Sequence, residues 1–455
     1  MGSYRSRKYL ASGVLTAGFA LILAVNWPGQ MSYDSVMQLA DGRSGHYDSW
    51  HPVVMAWLLG LSDAIAPGPG LFLAFTILLV WGAWLILLRT GQPGFGAALV
   101  LVLAFLTPQL ILYQGTIWKD VLFADAAIAS FAALAVAAAY WANRRARLVW
   151  LLVCALLLSL ATLARQNGIL LVPVAALSLG VIAARTSSRR KGWRYGLALF
   201  AASLAISFCG NFALSLRSDG GEGAGSQLRL AQTYDLVGAA RLDPAIRYPV
   251  LEERAPRLDA AIRKYGVPLY SPRLVDTLEP AIPLQTEIAH APRGTIFAAW
   301  RGLVLDHPIL YLKTRWPVFH WVAMAPDLMQ CHPDVVGVDG PKDVLNALGL
   351  HEQVRSQDRF LYFYVLRFVG TPVLSHLLFA ALALAALVLL IRRGQGSDLA
   401  IAGLMAGALI FAASFYVISI ACDYRYLYFL DLAAMTGLLK LASGAQRNSS
   451  LTEAF

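Results

Sequence analysis

The chain has 455 residues, 58% of them hydrophobic and 14% charged, with a formal net charge of +10. That balance leaves too little polar surface for a soluble protein of this length and places the chain in a bilayer. The basic excess lies in short connections between apolar blocks, where insertion orientation accounts for it, so no nucleic-acid partner is expected.

The apolar blocks run to about 17–22 residues, enough to cross about 30 Å of hydrocarbon. The first, at 9–27, follows Arg5, Arg7 and Lys8 but lacks a small-x-small exit. It reads as a retained helix with its N-terminus inside. The stretch 51–66 carries Asp63, ends in Pro67-Gly68-Pro69-Gly70 and is short for a span, so it reads as interfacial. Spans then follow at 71–88, 96–113, 121–141, 148–164, 168–184 and 196–216. This count puts three basic groups inside: Arg89; then Arg144, Arg145 and Arg147; then Arg185, Arg189, Arg190, Lys191 and Arg194. Reading 51–66 as a full span would turn all of them outward, against the positive-inside rule.

The segment 217–370 then lies outside. It opens on the loose stretch Ser218-Asp219-Gly220-Gly221-Glu222-Gly223 and later shows apolar residues at helical spacing, Ile296, Trp300, Leu303 and Val304. The aromatic and basic mixture from Tyr311 to Trp321 suits the headgroup zone. Three more spans, at 373–391, 399–421 and 425–441, leave Arg392, Arg393, Lys440 and Arg447 inside. The expected fold class is all-α, a polytopic membrane protein of about ten transmembrane helices with a juxtamembrane helix and an outer, mostly helical domain. The expected division is an N-terminal transmembrane module, 1–216, holding a first outer loop at 27–70; an outer domain, 217–370; and a C-terminal module, 371–455. No internal repeat and no paired broken helices of a transporter are visible. The cysteines Cys154, Cys209, Cys331 and Cys422 lack metal-ligand spacing; a bridge between Cys331 and Cys422 is compatible with the topology but not required.

Polar residues gather at the outer mouths of the spans. The first loop carries Tyr33, Asp34, Asp41, Asp48 and His51-Pro52; later connections carry Lys119-Asp120, Arg165-Gln166-Asn167 and Asp423-Tyr424-Arg425-Tyr426. Ionisable groups there are costly unless paired or functional, and four clusters at one level suggest one site. A carboxylate on the first loop can serve as a general base or hold a metal. Lys119, Arg165 and Arg425 are suited to a phosphate, and the apolar spans to a lipid tail. Blander readings stand beside this one. Asp120 suits a helix first turn, Arg165 and Arg425 suit snorkelling to headgroups, His51-Pro52 suits a helix start, and Asp41 and Asp63 read as solvated. Asp34 has no evident local partner in the sequence.

These residues resemble the GT-C superfamily of polyprenyl- or dolichyl-phosphate-sugar-dependent glycosyltransferases, which includes protein O-mannosyltransferases and the aminoarabinose transferase of lipid A. The likeness is one of layout and short motifs over most of the chain. Tyr33-Asp34-Ser35 looks like the acidic first-loop motif, and His51-Pro52 like the entry to the juxtamembrane helix. Lys119-Asp120-Val121-Leu122 is similar to the acidic start of an outer-facing span. Leu163-Ala164-Arg165-Gln166-Asn167-Gly168 resembles a Leu-Thr-Lys-Gly-like exit with Arg in the cation's place, and Arg425-Tyr426-Leu427 resembles an Arg-Tyr step.

The resemblance implies that Asp34 deprotonates an acceptor hydroxyl, which displaces polyprenyl phosphate with inversion. Lys119, Arg165 and Arg425 would hold the leaving phosphate. Asp48, His51 and Asp120 are further catalytic or acceptor-positioning candidates; Tyr33, Gln166, Arg315, His320 and Tyr426 are candidates for substrate contact. The implied partners are a polyprenyl-phosphate-linked sugar, a lipid or envelope-glycan acceptor and membrane lipids, at the periplasmic face of a bacterial inner membrane. A divalent metal, Mg or Mn, stays open as a cofactor. The first loop lacks the adjacent Asp-Glu pair of the protein mannosyltransferases, and the outer domain precedes the last spans, so the acceptor is left open. Two other readings are an O-antigen ligase or polymerase, drawing on Arg301, Arg315 and His320, and a transporter or flippase, which needs ionisable groups at the bilayer midplane.

Overall fold

A computed structural model describes residues 2–47, 52–217, 223–324, 331 and 335–444. Asp48 and His51 lie outside the described residues. The protein is an all-α polytopic membrane protein; among the described residues only isolated β-bridges accompany the helices. In chain order the principal helices are α1 (Gly2–Asn26), α2 (Tyr33–Ser44), α3 (Val53–Ile65), α4 (Gly70–Thr90) and α5 (Phe95–Phe105). They continue as α6 (Lys119–Ala139), α7 (Arg144–Ala164), α8 (Leu171–Thr186), α9 (Arg189–Ser215) and α10 (Gly223–Leu242). The remainder are α11 (Thr295–Asp306), α12 (Pro308–Ala323), α13 (His376–Arg393), α14 (Gly396–Ile418) and α15 (Tyr428–Ala442).

Among the described residues eight helices are long and apolar enough to cross a membrane, or nine if one bent pair is a single span. Two of the expected ten spans differ. The block at 96–113 is interrupted at Pro108, where α5 and the segment Pro108–Gly115 meet at 70°. Proline lacks the N–H for the helical bond and pushes its predecessor out of the helical region, so the break follows from chemistry. The last block forms only the 15-residue α15, preceded by a short turn at Tyr424–Leu427.

The chain divides into two compact units. The first comprises Met1–Asp219, Asp334–Ala412 and Leu427–Phe455; the second comprises Gly220–Pro333 and Ala413–Tyr426. At the centre of the first unit lies α6, with 94% of its apolar window buried. Its alanine-rich face lets neighbouring backbones approach closely, the usual packing device where water supplies no driving force. At one end of this unit Asp398, fully buried at the start of α14, accepts from Arg393 at 3.1 and 3.2 Å and faces Lys440 at 3.4 Å. The ends of α13 and α15 are thereby tied to α14.

The first-loop hairpin α2–α3 is also fastened. Gly42 and Gly60 meet backbone to backbone, with no room for a Cβ on either. Asp63, expected in solvent, is instead buried and accepts a bidentate pair from Arg43 at 2.7 and 2.8 Å. The Arg43 bonds hold its carboxyl below the ordinary value, against the opposing effect of burial.

In the second unit α10, α11 and α12 surround a core that includes Tyr234, Val237, Leu251, Ile262, Leu284 and Leu303. The spacing of Ile296 and Leu303 does place both inside, on α11. Leu274 and Ala421 form an antiparallel bridge, and Cys331 and Cys422 form a disulfide.

Candidate functional site

The site is assembled around an extended segment too short to show any period in the sequence. Where α1 ends, Gly29 adopts φ +129°, a conformation open to glycine, and its missing Cβ leaves room for Ile117. Gln30 and Met31 then run extended between two other segments. Gln30 N–H donates to the Gly115 carbonyl at 2.9 Å, and Ile117 N–H returns a bond to the Gln30 carbonyl at 2.9 Å. On the other side Met31 N–H donates to the Gly337 carbonyl at 2.8 Å, and Asp339 N–H to the Met31 carbonyl at 3.0 Å. Val338 in turn pairs with Gln353.

The Gln30 side chain closes the arrangement. It accepts from Gly337 N–H at 2.5 Å and donates to Asn26 at 3.2 Å and to Asp358 at 3.1 Å. Burial works against the Asp358 carboxylate, but bonds from Arg355 and Gln30 hold it below its ordinary value. Buried backbone outside a helix must find partners, and here every one of these bonds fixes the loop against another segment.

Asp34 follows directly, in the first turn of α2, half-buried. It stands between two anchored serines. Trp118 donates its indole N–H to Ser32 Oγ at 2.8 Å, and Ser35 Oγ donates to the Ile117 carbonyl at 2.5 Å. The segment that receives these bonds runs straight into Lys119 and Asp120, which open α6. Asp120 is buried and forms an ion pair with Arg165, the residue that ends α7. The Arg165 guanidinium also lies 5.6 Å from the Phe411 ring centroid. One ladder and one ion pair thus gather the segments bearing Asp34, Lys119, Asp120 and Arg165. Tyr33 and Gln166, beside them in sequence, are exposed.

The other expected residues belong to the second unit. Arg425 pairs with Asp423 at 3.0 Å, and Tyr426 stacks on Phe415 with centroids 5.5 Å apart. His320 is exposed on α12, near Trp316 and Trp321. Arg315, expected to contact substrate, is corrected by its surroundings. It is 1% exposed and donates to Asp235 Oδ1 at 2.8 Å and to the carbonyls of Tyr416 and Ser419 at 2.9 and 2.6 Å. Its donors are spent on the interior of its own unit, which also removes a cation that a ligase reading requires.

Four residues that sequence reasoning passed over support the ladder. Gln114 donates to Asp125 Oδ2 at 2.6 Å, and the Tyr428 hydroxyl donates to Gln114 Oε1 at 2.9 Å. The Tyr428 ring stacks on Tyr113 at 5.4 Å, and Tyr113 meets Trp118 edge-on at 5.5 Å. A chain of contacts therefore runs from Asp125, inside α6, to the tryptophan that holds Ser32. An aspartate within an apolar span was the available signal.

Among the described residues no three His, Cys, Asp or Glu side chains converge as metal ligands.

No family model matches the sequence, and no curated protein matches it. The chain is similar to the crystal structure of the Archaeoglobus fulgidus oligosaccharyltransferase tethered to an acceptor peptide, at 13% identity and TM-score 0.43, covering 95% of this chain and 49% of that one. It is likewise similar to the archaeal oligosaccharyltransferase of the same organism in complex with an inhibitory peptide and a dolichol-phosphate. There the identity is 13% and the TM-score 0.44, over 95% of this chain and 50% of the other. The chain spans about half the length of these structures.

Proposed function

We propose that this protein is a multi-pass membrane glycosyltransferase that moves one sugar from a polyprenyl phosphate to a lipid-linked or envelope-glycan acceptor at the periplasmic face of a bacterial inner membrane. The observation that carries the reading is the docking of the first loop on the segment leading into Lys119. It sets a half-buried carboxylate and two cations on segments bonded to one another. Asp34 takes the proton of the acceptor hydroxyl, and that oxygen bonds to the anomeric carbon. The bond from the anomeric carbon to the phosphate oxygen breaks as the new one forms, inverting the centre. Polyprenyl phosphate leaves with the bonding pair. Lys119 and Arg165 meet the growing negative charge, an effect commonly worth about 3 kcal/mol per well-placed donor. Asp120 is a positioning residue, since it fixes the guanidinium of Arg165.

The donor tests the reading. Purified protein supplied with polyprenyl-monophosphate monosaccharides is expected to release polyprenyl monophosphate and to form a glycoside of inverted configuration. Transfer solely from diphosphate-linked oligosaccharides would overturn it.

A further inference from the structure

A cleft lies wholly within the second unit, and none of its lining residues is among those assigned to the proposed transfer. It measures about 370 Å³, within the usual range for a small-ligand pocket. One wall is a single face of α10, where Leu228, Arg229 and Gln232 follow one another at helical spacing. The opposite wall is the entry to α11. Gly294, with φ +78°, turns the chain there, and Arg293, Ile296 and Phe297 line the cleft.

Three donors of different kinds converge. Gln232 is 3% exposed, yet its side-chain amide lines the cleft and bonds to no described residue. An amide at a cleft wall with no protein partner is open to a hydrogen bond with a polar ligand. Arg293 is exposed and has no ion pair among the described residues. Arg229 adds a second guanidinium on the facing helix, where it donates to Ser226 at 3.4 Å. The first-turn N–H groups of α11, including those of Ile296 and Phe297, have no acceptor within the helix and present the positive end of its dipole. Around these donors the wall is apolar, formed by Leu228, Ile296 and Phe297.

We infer that this cleft binds the phosphoryl head of an amphiphile. The arginines and the helix start bind the oxyanion, Gln232 accepts or donates a further bond, and the apolar wall receives the carbon body next to the phosphate. The same phosphoryl chemistry is offered by a lipid head and by free phosphate, and the apolar wall favours the lipid.

The full chain, held in phosphatidylcholine nanodiscs, should bind dihexanoyl phosphatidic acid by titration calorimetry. Arg293→Glu and Gln232→Leu should each weaken that binding by about tenfold or more, the loss of a charge-assisted bond. Inorganic phosphate should bind far more weakly. Inorganic phosphate binding as tightly as the lipid would overturn the amphiphile and leave a free-oxyanion site. Equal binding by wild type and Arg293→Glu, a surface change that leaves the fold intact, would overturn the site itself.

Discussion

Asp34→Asn is expected to lower turnover about 100- to 10,000-fold, the span of a positioned general base. The amide keeps the shape of the side chain but cannot take the acceptor proton. Asp34 sits in the first turn of α2, where a carboxylate adds about 0.3–1 kcal/mol through the helix dipole. The ladder at Gln30 and Met31 and the bonds at Ser32 and Ser35 do not involve its side chain. The fall in turnover should be larger than any accompanying change in melting temperature accounts for. A purely structural Asp34 would give the opposite pattern, with stability lost and turnover per folded molecule retained.

Arg315→Leu is expected to destabilise the second unit by about 3–5 kcal/mol, the usual consequence of leaving one charge of a buried pair alone. Asp235 is 4% exposed and would keep only the Trp300 indole bond, at 2.9 Å. Burial already pushes the Asp235 carboxyl above its ordinary value, and the Arg315 charge is the main opposing influence. The carbonyls of Tyr416 and Ser419 lose their donor as well. A domain has about 5–15 kcal/mol in all, so this is a large share. The double variant Asp235→Leu with Arg315→Leu should recover the part due to the lone charge, but not the part due to the two carbonyls. Limited proteolysis within Gly223–Met324, followed against temperature, reads the difference. A single variant as resistant as the wild type would show that the buried pair carries no weight.

Arg315 also shows where sequence reasoning runs out. In the stretch from Tyr311 to Trp321 it stands among aromatic residues, a composition equally suited to a headgroup zone and to a buried ion pair. Its partner Asp235 is 80 residues away, and no local pattern links the two. The spans, by contrast, were legible because hydrocarbon thickness imposes a length on each apolar block. The break at Pro108 was written in the residue itself but was outweighed by the apolar run around it. Lys119, Asp120 and Arg165 are legible because charges at span mouths are expensive, and the Asp120–Arg165 pair is how the fold meets part of that cost. The device that brings Asp34's loop to Lys119 was not legible. It consists of isolated bridges with no alternation to detect, and its closing side chain, Gln30, reaches Asp358 across 328 positions. The sequence also offers no boundary where the first unit resumes at Asp334, because the residues that follow are held by pairings such as Val338 with Gln353.

The most direct test of the central claim is photolabelling with a polyprenyl-phosphate sugar that carries its reactive group on the sugar, in the full chain reconstituted in bilayers. Labelling that unlabelled donor suppresses should fall on peptides containing Tyr33–Ser35, Gln114–Asp120 or Arg165–Gly168. Suppressible labelling confined to other parts of the chain would contradict the assignment of Asp34, Lys119 and Arg165 to one active site.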